Sequence, residues 1–346
     1  MEYGVSYFQK ALHNYVKPSY KINLTLTGNM MKKGLLILLL IAVGICYLLY
    51  DSEKYVFEKI ADNVYVIHGP LDEPNAKNRG FMNNPGLVVG KNGAIIIDPG
   101  SAYGVGKNVM IAVEKITNKP IVAVFNTHVH GDHWLGNQAI VERYPAVKIY
   151  AHPNMIEQAK SSEGERWIAL MSKLTEGASD GTIASYPTDT TTHLQIIKAG
   201  GEAFRMHHDI TGVAHTNTDL MIEHIKTKTL FMGDNGLVHR HGRFDETSDM
   251  HGNIAVLQYA IDLNLTYYVP GHGPTGNATT TVKPFLHYLQ IVQDEVKKGY
   301  EQDLTDYEIK PIADKKLTAY HDWHGYESNM GKHIGKMFGE IESLDE

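Results

Sequence analysis

The feature that most constrains the fold is a cluster of three histidines and one aspartate, HVHGDH, at residues 128–133. The cluster follows the apolar run IVAVF, which is typical of a buried strand, and precedes a segment with helical spacing. Side chains at a strand end are held by the sheet and open to solvent on the loop side. Because imidazole and carboxylate groups suit a zinc-type cation, the cluster predicts a metal site at the strand ends of a layered α/β fold.

The spacing within the cluster predicts where its side chains point. His128 and His130 are two residues apart, so in an extended loop their side chains can converge on one ion. Gly131 allows the backbone to turn, and Asp132 and His133 then face a neighbouring position. These four groups are too few for two metal ions, so further ligands are expected elsewhere in the chain.

Three more metal-competent residues occur at later strand ends. His215 lies in GVAHTNTD, between two strand-like segments, while Asp234 in TLFMGDN and His272 in YYVPGHG each follow an apolar strand. Asp98 ends another apolar strand in AIIIDPG. The carboxyl ends of strands are where open α/β layers place their sites. The ordered recurrence of these residues is hard to explain by core histidines alone.

Strands alternate with helices in two successive blocks after residue 55, with no Pro-, Gly- or Ser-rich linker between them. The Thr-, Ser- and Asp-rich stretch 177–192 is the best boundary between the blocks. We therefore predict one α/β domain built from two layered halves.

Composition limits the chemistry and the partners. The single cysteine, Cys46, excludes an intramolecular disulfide framework and a thiolate-rich zinc site, whereas there are 19 histidines. The net charge of -7, with no Lys/Arg cluster in the body of the chain, argues against nucleic acid as a partner. A small-molecule substrate is expected, and the oligomeric state stays open.

The head of the chain carries an uninterrupted apolar run at residues 34–50, preceded by two lysines and followed by acids. We interpret residues 31–50 as a membrane anchor that leaves the body on the outer, periplasmic or extracellular, side. The alternative is a cleaved signal peptide, which would make the protein secreted and periplasmic. Residues 1–30 carry no motif and form an N-terminal extension of uncertain status.

These motifs together resemble the metallo-β-lactamase fold superfamily, whose signature is H-x-H-x-D-H followed by isolated His, Asp and His at later strand ends. The resemblance runs from about residue 55 to 276. It implies an αββα sandwich, an α/β fold with four layers and the metals at one edge between the sheets. We assign residues 51–303 to this catalytic domain and residues 304–346 to a helical C-terminal extension.

The resemblance also implies a set of ligands and a mechanism. A first metal is held by His128, His130 and His215, and a second by Asp132, His133 and His272, with Asp234 bridging them and Asp98 orienting a ligand histidine. Two divalent ions, zinc in the first place and iron or manganese as alternatives, would share a hydroxide that attacks the substrate. Asp132 would accept or relay the proton, as a catalytic residue.

The expected activity is hydrolysis of a small ester, thioester, lactone or amide. Asp234 favours the glyoxalase II and lactonase type, because true metallo-β-lactamases typically lack an aspartate there, whereas export favours a β-lactamase. A non-catalytic metal-binding protein on the same fold is a further alternative. The cationic residues that follow Asp234 are predicted either to bind an anionic substrate group or to form a solvated loop. They are His239, Arg240, His241 and Arg243.

Overall fold

The computed structural model describes residues 54–345. The predicted extension at residues 1–30 and the predicted anchor or signal segment at residues 31–50 lie outside this range. Among residues 54–345, no helix is both long enough and apolar enough to cross a membrane.

The first sheet has seven strands that pair in chain order. The first four pair antiparallel, and the rest continue in parallel. Its strands are β1 (Glu58–Ala61), β2 (Val64–Val66), β3 (Gly86–Val89), β4 (Ala94–Ile97), β5 (Ile121–Phe125), β6 (Lys148–Ala151) and β7 (Asp189–Thr190). β1 and β2 form one hairpin, and β3 and β4 form another. Asn63 adopts φ +58°, which suits the tight turn between β1 and β2.

The second sheet has five strands in the order β12-β11-β10-β9-β8, and only β11 and β12 pair in parallel. Its strands are β8 (Ile196–Ala199), β9 (Glu202–His207), β10 (Met221–His224), β11 (Thr229–Phe231) and β12 (Tyr267–Val269). The chain passes from the first sheet to the second just after β7. The predicted boundary at residues 177–192 contains β7, which its polar composition did not reveal.

The helices cover the outer faces of the sheets. They are α1 (Tyr103–Ile116), α2 (Gly131–Trp134), α3 (Asn137–Arg143), α4 (Pro153–Gln158), α5 (Gly164–Leu174), α6 (Met250–Asp262), α7 (Lys283–Tyr300), α8 (Asp306–Asp314) and α9 (Tyr326–Asp345). A π-helical segment, Ala159–Glu163, joins α4 to α5. The helix predicted after the histidine cluster is divided into α2 and α3.

Three apolar clusters show the layering. Phe125 and Ile95 of the first sheet pack with Phe204 and Ile222 of the second, between the two sheets. A second cluster joins the outer face of the first sheet to α1 and α3, and a third joins the second sheet to α6 and α7. The predicted four-layer αββα sandwich is therefore confirmed. Because burial removes apolar surface from water, each large side chain between the sheets stabilises the fold by about 1.5–3 kcal/mol.

The C-terminal helices α8 and α9 share the core of the second sheet. Ile309 of α8 and Ile334 of α9 are fully buried in the same cluster as Leu230 of β11. Both helices also carry clear local signals, since Thr305 and Glu308 form a capping box at the start of α8. The assigned boundary between residues 303 and 304 stays a prediction, and the described residues 54–345 belong to a single compact unit.

Candidate metal centre

Buried imidazoles and carboxylates meet at one edge of the sandwich. The histidine cluster occupies the loop after β5 and the short helix α2, so the first sheet positions four of the groups. His215 lies between β9 and β10, Asp234 lies in a 3-10 turn after β11, and His272 follows β12. All seven predicted ligand residues are buried, with at most 8% of their surface exposed.

The first group contains His128, His130, His215 and Asp234, which offer ligand atoms within 4.8 Å of one another. Nε2 of His215 lies 3.1 Å from Nδ1 of His130. Two neutral imidazole nitrogens facing each other at this distance are spaced like neighbouring ligands of one cation. The structure thus brings together the three histidines predicted for the first metal.

The second group contains Asp132, His133 and His272, whose ligand atoms also lie within 4.8 Å of one another. Oδ2 of Asp132 is 3.3 Å from Nε2 of His133 and 3.2 Å from Nε2 of His272. Asp234 faces both groups, because Oδ1 lies 3.1 Å from Nε2 of His133 while Oδ2 lies 3.7 Å from Nε2 of His215. This is the placement expected of a bridging carboxylate.

Hydrogen bonds outside the two groups fix which nitrogen of each ring faces inward. Nδ1 of His272 donates to the carbonyl oxygen of Met82 at 2.8 Å, and Nδ1 of His133 donates to Oδ2 of Asp98 at 2.8 Å. Each Nε2 therefore keeps a lone pair, and neither has a hydrogen-bond partner among the described residues. Buried acceptors without a donor are costly, so this donor set fits divalent cations that bind nitrogen and oxygen.

Asp98 holds several groups of the site at once. Its Oδ1 accepts the backbone N–H of Thr127 at 2.9 Å, and its Oδ2 accepts the Thr127 hydroxyl at 2.6 Å as well as His133. The same hydroxyl lies 3.0 Å from Nδ1 of His128. Asp98 itself adopts φ +49°, a conformation that aspartate and asparagine tolerate better than most residues. The orienting position implied by the resemblance is the one that Asp98 occupies.

The pKa shifts divide the histidines into two kinds, because the facing carboxylates Asp132 and Asp234 outweigh burial and raise the pKa values of His133 and His272. Burial lowers the pKa values of His128 and His215, so both rings stay neutral and can bind a metal. Burial alone would raise the pKa of Asp132, but the neighbouring His133 and His272 outweigh it and hold the pKa well below its usual range. Asp234 behaves in the same way. Two buried, ionised carboxylates therefore contact the same two histidines, and divalent cations could take the place of the protons that they favour on these rings.

A cleft of about 140 Å³ opens onto these residues. Arg240 and Arg243 line it, whereas His239 and His241 do not. The structure therefore does not bring these two histidines to the cleft, and their predicted contact with substrate stays a prediction. The rings of both histidines lie instead near that of Trp323, with centroid distances of 6.0 Å for His239 and 5.4 Å for His241.

The two arginines differ in their surroundings. Arg240 is buried, donates to the carbonyl oxygen of Leu71, and pairs with Glu73 at 3.0 Å. Arg243 is exposed and forms no ion pair within 4.0 Å among residues 54–345, although Asp245 is near enough to affect it electrostatically. A third arginine of the cleft, Arg166 of α5, pairs with Glu163. Arg243 is therefore the arginine of the cleft that remains available to an anionic group.

His241 packs in an aromatic cluster formed by α7 and α9. Its ring lies 4.3 Å from that of Tyr288 and 5.8 Å from that of His333. His333 in turn lies 2.8 Å from the Tyr288 hydroxyl and 2.9 Å from the carbonyl oxygen of Gly242. The C-terminal helices thus support the loop that carries Arg243.

The part of the cleft that α5 forms was not predicted from the sequence. Trp167, Leu170, Met171 and Leu174 of α5 all line the cleft. The four residues follow the i, i+3, i+4, i+7 spacing of an amphipathic helix, which indicates an apolar face without saying what it contacts. Only the fold shows that part of this face borders the metal ligands.

Comparison with known proteins agrees with this geometry. Residues 78–272, more than half of the chain, match a family model described as the metallo-beta-lactamase superfamily. A hydroxyacylglutathione hydrolase of Trichormus variabilis is 40% identical over 60 residues, which cover 17% of this chain and 21% of that protein. One of Synechococcus sp. is 31% identical over 117 residues, which cover 31% of this chain and 42% of that protein. The chain thus spans less than half the length of either relative.

Solved structures show the same fold at low identity. A stereoselective inverting sec-alkylsulfatase from Pseudomonas sp. has a TM-score of 0.61 at 15% identity, covering 83% of this chain and 50% of that one. A metallo-beta-lactamase from Pontibacter korlensis has a TM-score of 0.53 at 18% identity, covering 68% of this chain and 98% of that one. Likeness at these identities concerns the fold alone.

Proposed function

The chain belongs to the metallo-beta-lactamase superfamily, and on that premise we propose that it is a dinuclear metal-dependent hydrolase of a small ester, thioester, lactone or amide. The observation that carries the proposal is the pair of buried ligand groups that face Asp234 from both sides. The predicted family resemblance is confirmed, and the curated relatives that match part of the chain are hydroxyacylglutathione hydrolases, which supports a thioester among the candidate substrates.

Each residue has a distinct part in this proposal. The residues that would hold the first cation are His128, His130 and His215, and those that would hold the second are Asp132, His133 and His272, with Asp234 shared. When bound, two divalent ions, zinc by preference and iron or manganese as alternatives, would make water a nucleophile near neutral pH and polarise the substrate oxygen.

The protein itself supplies orientation and proton transfer. Asp98 fixes the tautomer of His133, and the Met82 carbonyl does the same for His272. Asp132 lines the cleft and touches both of these histidines through Oδ2, which leaves Oδ1 to accept a proton from the attacking water. Arg243, which lines the cleft, would bind an anionic group of the substrate.

A β-lactam is a weaker candidate for the substrate. The resemblance associates an aspartate at the position of Asp234 with glyoxalase II and lactonases, and the curated relatives point the same way. The alternative of a non-catalytic metal-binding protein predicts bound metal without turnover.

Metal analysis of the purified protein, combined with a substrate panel, tests the proposal. We expect about two metal ions per chain and turnover of one class among a thioester, a lactone, an aryl ester and a chromogenic cephalosporin. Asp132→Asn should lower kcat by about 10²–10⁴-fold without unfolding the protein. A folded protein without metal would refute the proposal, and two metals without turnover of any class would favour the non-catalytic alternative.

A further inference from the structure

Helix α5 presents an apolar strip to the cleft. Trp167 is half-buried and its ring centroid lies 5.0 Å from that of the metal-ligand candidate His130. Leu170 is half-buried, and Leu174 is 40% exposed. Both leucines line the cleft, and neither belongs to an apolar core cluster of the described residues. The strip therefore begins at the candidate metal centre and leads outward toward solvent.

The rest of α5 is fixed firmly against the ligand loop. Met171 is buried in an apolar cluster with Trp134 and Leu135, and Trp167 packs against the same cluster. The approach of α5 is so close that a Cβ atom on Gly131 would lie 2.7 Å from Cβ of Trp167. The two leucines are thus held at the cleft by a rigid helix, and their exposure does not come from a loosely packed segment.

Segments other than α5 contribute polar residues to the lining of the cleft. It includes Arg243 and Asp245 on the loop after β11 and Glu73 on the loop before β3. Arg166 of α5 also lines the cleft, and it pairs with Glu163. A ligand in the cleft therefore meets charged side chains as well as the aliphatic carbon of Leu170 and Leu174. From Trp167 to Leu174 the helix advances about 10 Å, at 1.5 Å per residue, which suits an extended aliphatic chain of medium length.

We propose that the substrate carries an apolar acyl chain that lies along Trp167, Leu170 and Leu174, so that the protein is a medium-chain acyl ester or thioester hydrolase. This inference rests on the proposed function. In the reaction, water oxygen forms the new bond to the acyl carbon and the bond from that carbon to the leaving oxygen or sulfur breaks. One proton of the water goes to the leaving group, and the products are a carboxylic acid and an alcohol or thiol.

A chain-length series measures the contribution of the strip directly. We compare kcat/KM for acetyl, butanoyl, hexanoyl and octanoyl esters of one leaving group, and for the matching thioesters. Each methylene that is buried against the strip should raise kcat/KM about fourfold, until the chain passes the end of α5.

The double variant Leu170→Ser/Leu174→Ser should lower the octanoyl-to-acetyl ratio of kcat/KM by about tenfold or more. Neither leucine belongs to a core cluster, so the variant should keep its fold, which circular dichroism and thermal melting would verify. Leu344→Ser is the matched control, because Leu344 is 75% exposed near the end of α9. This control should leave the ratio at the wild-type value.

Binding gives a second readout that does not depend on turnover. Calorimetry should show that octanoate binds the purified protein more tightly than acetate, and that the double variant removes this difference. Turnover of short and long acyl substrates at equal kcat/KM, with no preference for octanoate, would overturn the inference while leaving the proposed function intact. Leucine-dependent octanoate binding without turnover of any ester or thioester would overturn the proposed function and support the apolar site. A strip that serves instead to dock another protein predicts no chain-length dependence in either assay.

Discussion

Replacing Asp98 by Asn should weaken the binding of one metal ion and leave the affinity for the other unchanged. In the wild-type protein, Oδ1 of Asp98 accepts the Thr127 backbone N–H, and Oδ2 accepts His133 Nδ1 at 2.8 Å. An asparagine that keeps its carbonyl oxygen toward Thr127 must turn its NH₂ group toward His133. Because NH₂ can only donate, Nδ1 of His133 would have to become the acceptor, and its proton would move to Nε2. A protonated Nε2 cannot bind a metal.

The size of the effect follows from these contacts. Loss of a partner that orients a ligand histidine typically lowers metal affinity by about 10–100-fold, which corresponds to about 1.4–2.8 kcal/mol. The loss should fall on the group that contains Asp132, His133 and His272. The other group should keep its affinity, because the rotatable Thr127 hydroxyl can still accept from His128. Asparagine tolerates positive φ as aspartate does, so the backbone at residue 98 should not change.

Competition with a chromophoric chelator near neutral pH measures both affinities in one titration. The expected curve has one wild-type phase and one weakened phase. Asp262→Asn, at an exposed carboxylate near the end of α6, is the control and should retain both wild-type phases. Retention of both phases in Asp98→Asn, or a parallel loss of both, would refute the orienting role of Asp98.

Three further predictions concern the stability, the site and the location of the protein. Burial lowers the pKa of His333 to about 4 from the ordinary value of 6.5, so the folded protein favours the neutral ring. The resulting contribution to the free energy of unfolding, about 3 kcal/mol, is complete above pH 6.5 and is lost as the pH falls toward 4. Urea unfolding across this range should show a steeper loss of stability in the wild type than in His333→Gln, and equal pH dependence of the two proteins would contradict the prediction. Gly271→Ala should weaken metal binding, because the added Cβ would lie 1.9 Å from Oδ1 of Asp234. In the control Gly252→Ala the added Cβ meets the backbone carbonyl of Val213 instead. This control should lower the melting temperature with less effect on the metal affinity of the folded protein. If residues 31–50 anchor the protein with its body outside, cell fractionation should recover the protein with the membranes, and external protease should degrade the body. Recovery from the soluble periplasmic fraction would instead indicate a cleaved signal peptide.

The convergence of the candidate ligands was predictable because it rests on two independent signals. His128, Asp234 and His272 each directly follow a strand that is apolar enough to identify from sequence, and the ends of such strands meet at one sheet edge. The fold class followed from the same alternation of strands and helices. By contrast, β7 is two residues long and polar, so neither periodicity nor composition indicated it.

The walls of the cleft were not predictable, because they depend on packing between distant segments. The sequence around Leu170 and Leu174 is that of an ordinary amphipathic helix, in which such leucines usually lie in the core. They line the cleft because α5 packs against the loop that carries the candidate ligands. Similarly, His241 and Arg243 share one short cationic stretch, yet the aromatic side chains of the C-terminal helices enclose the first and leave the second exposed.

The seven candidate ligands come from both sheets, and so each cation would act as a cross-link through the sandwich. The first group joins His128 and His130 of the first sheet to His215 of the second, and the second group joins His133 to His272. Separation of the two halves would therefore require the release of both ions. By mass action, each ion at a thousandfold excess over its dissociation constant would add about 4 kcal/mol to the free energy of unfolding. The lifetime of the folded chain would then depend on the free metal concentration around it, and a chelator should lower its melting temperature before any substrate is present.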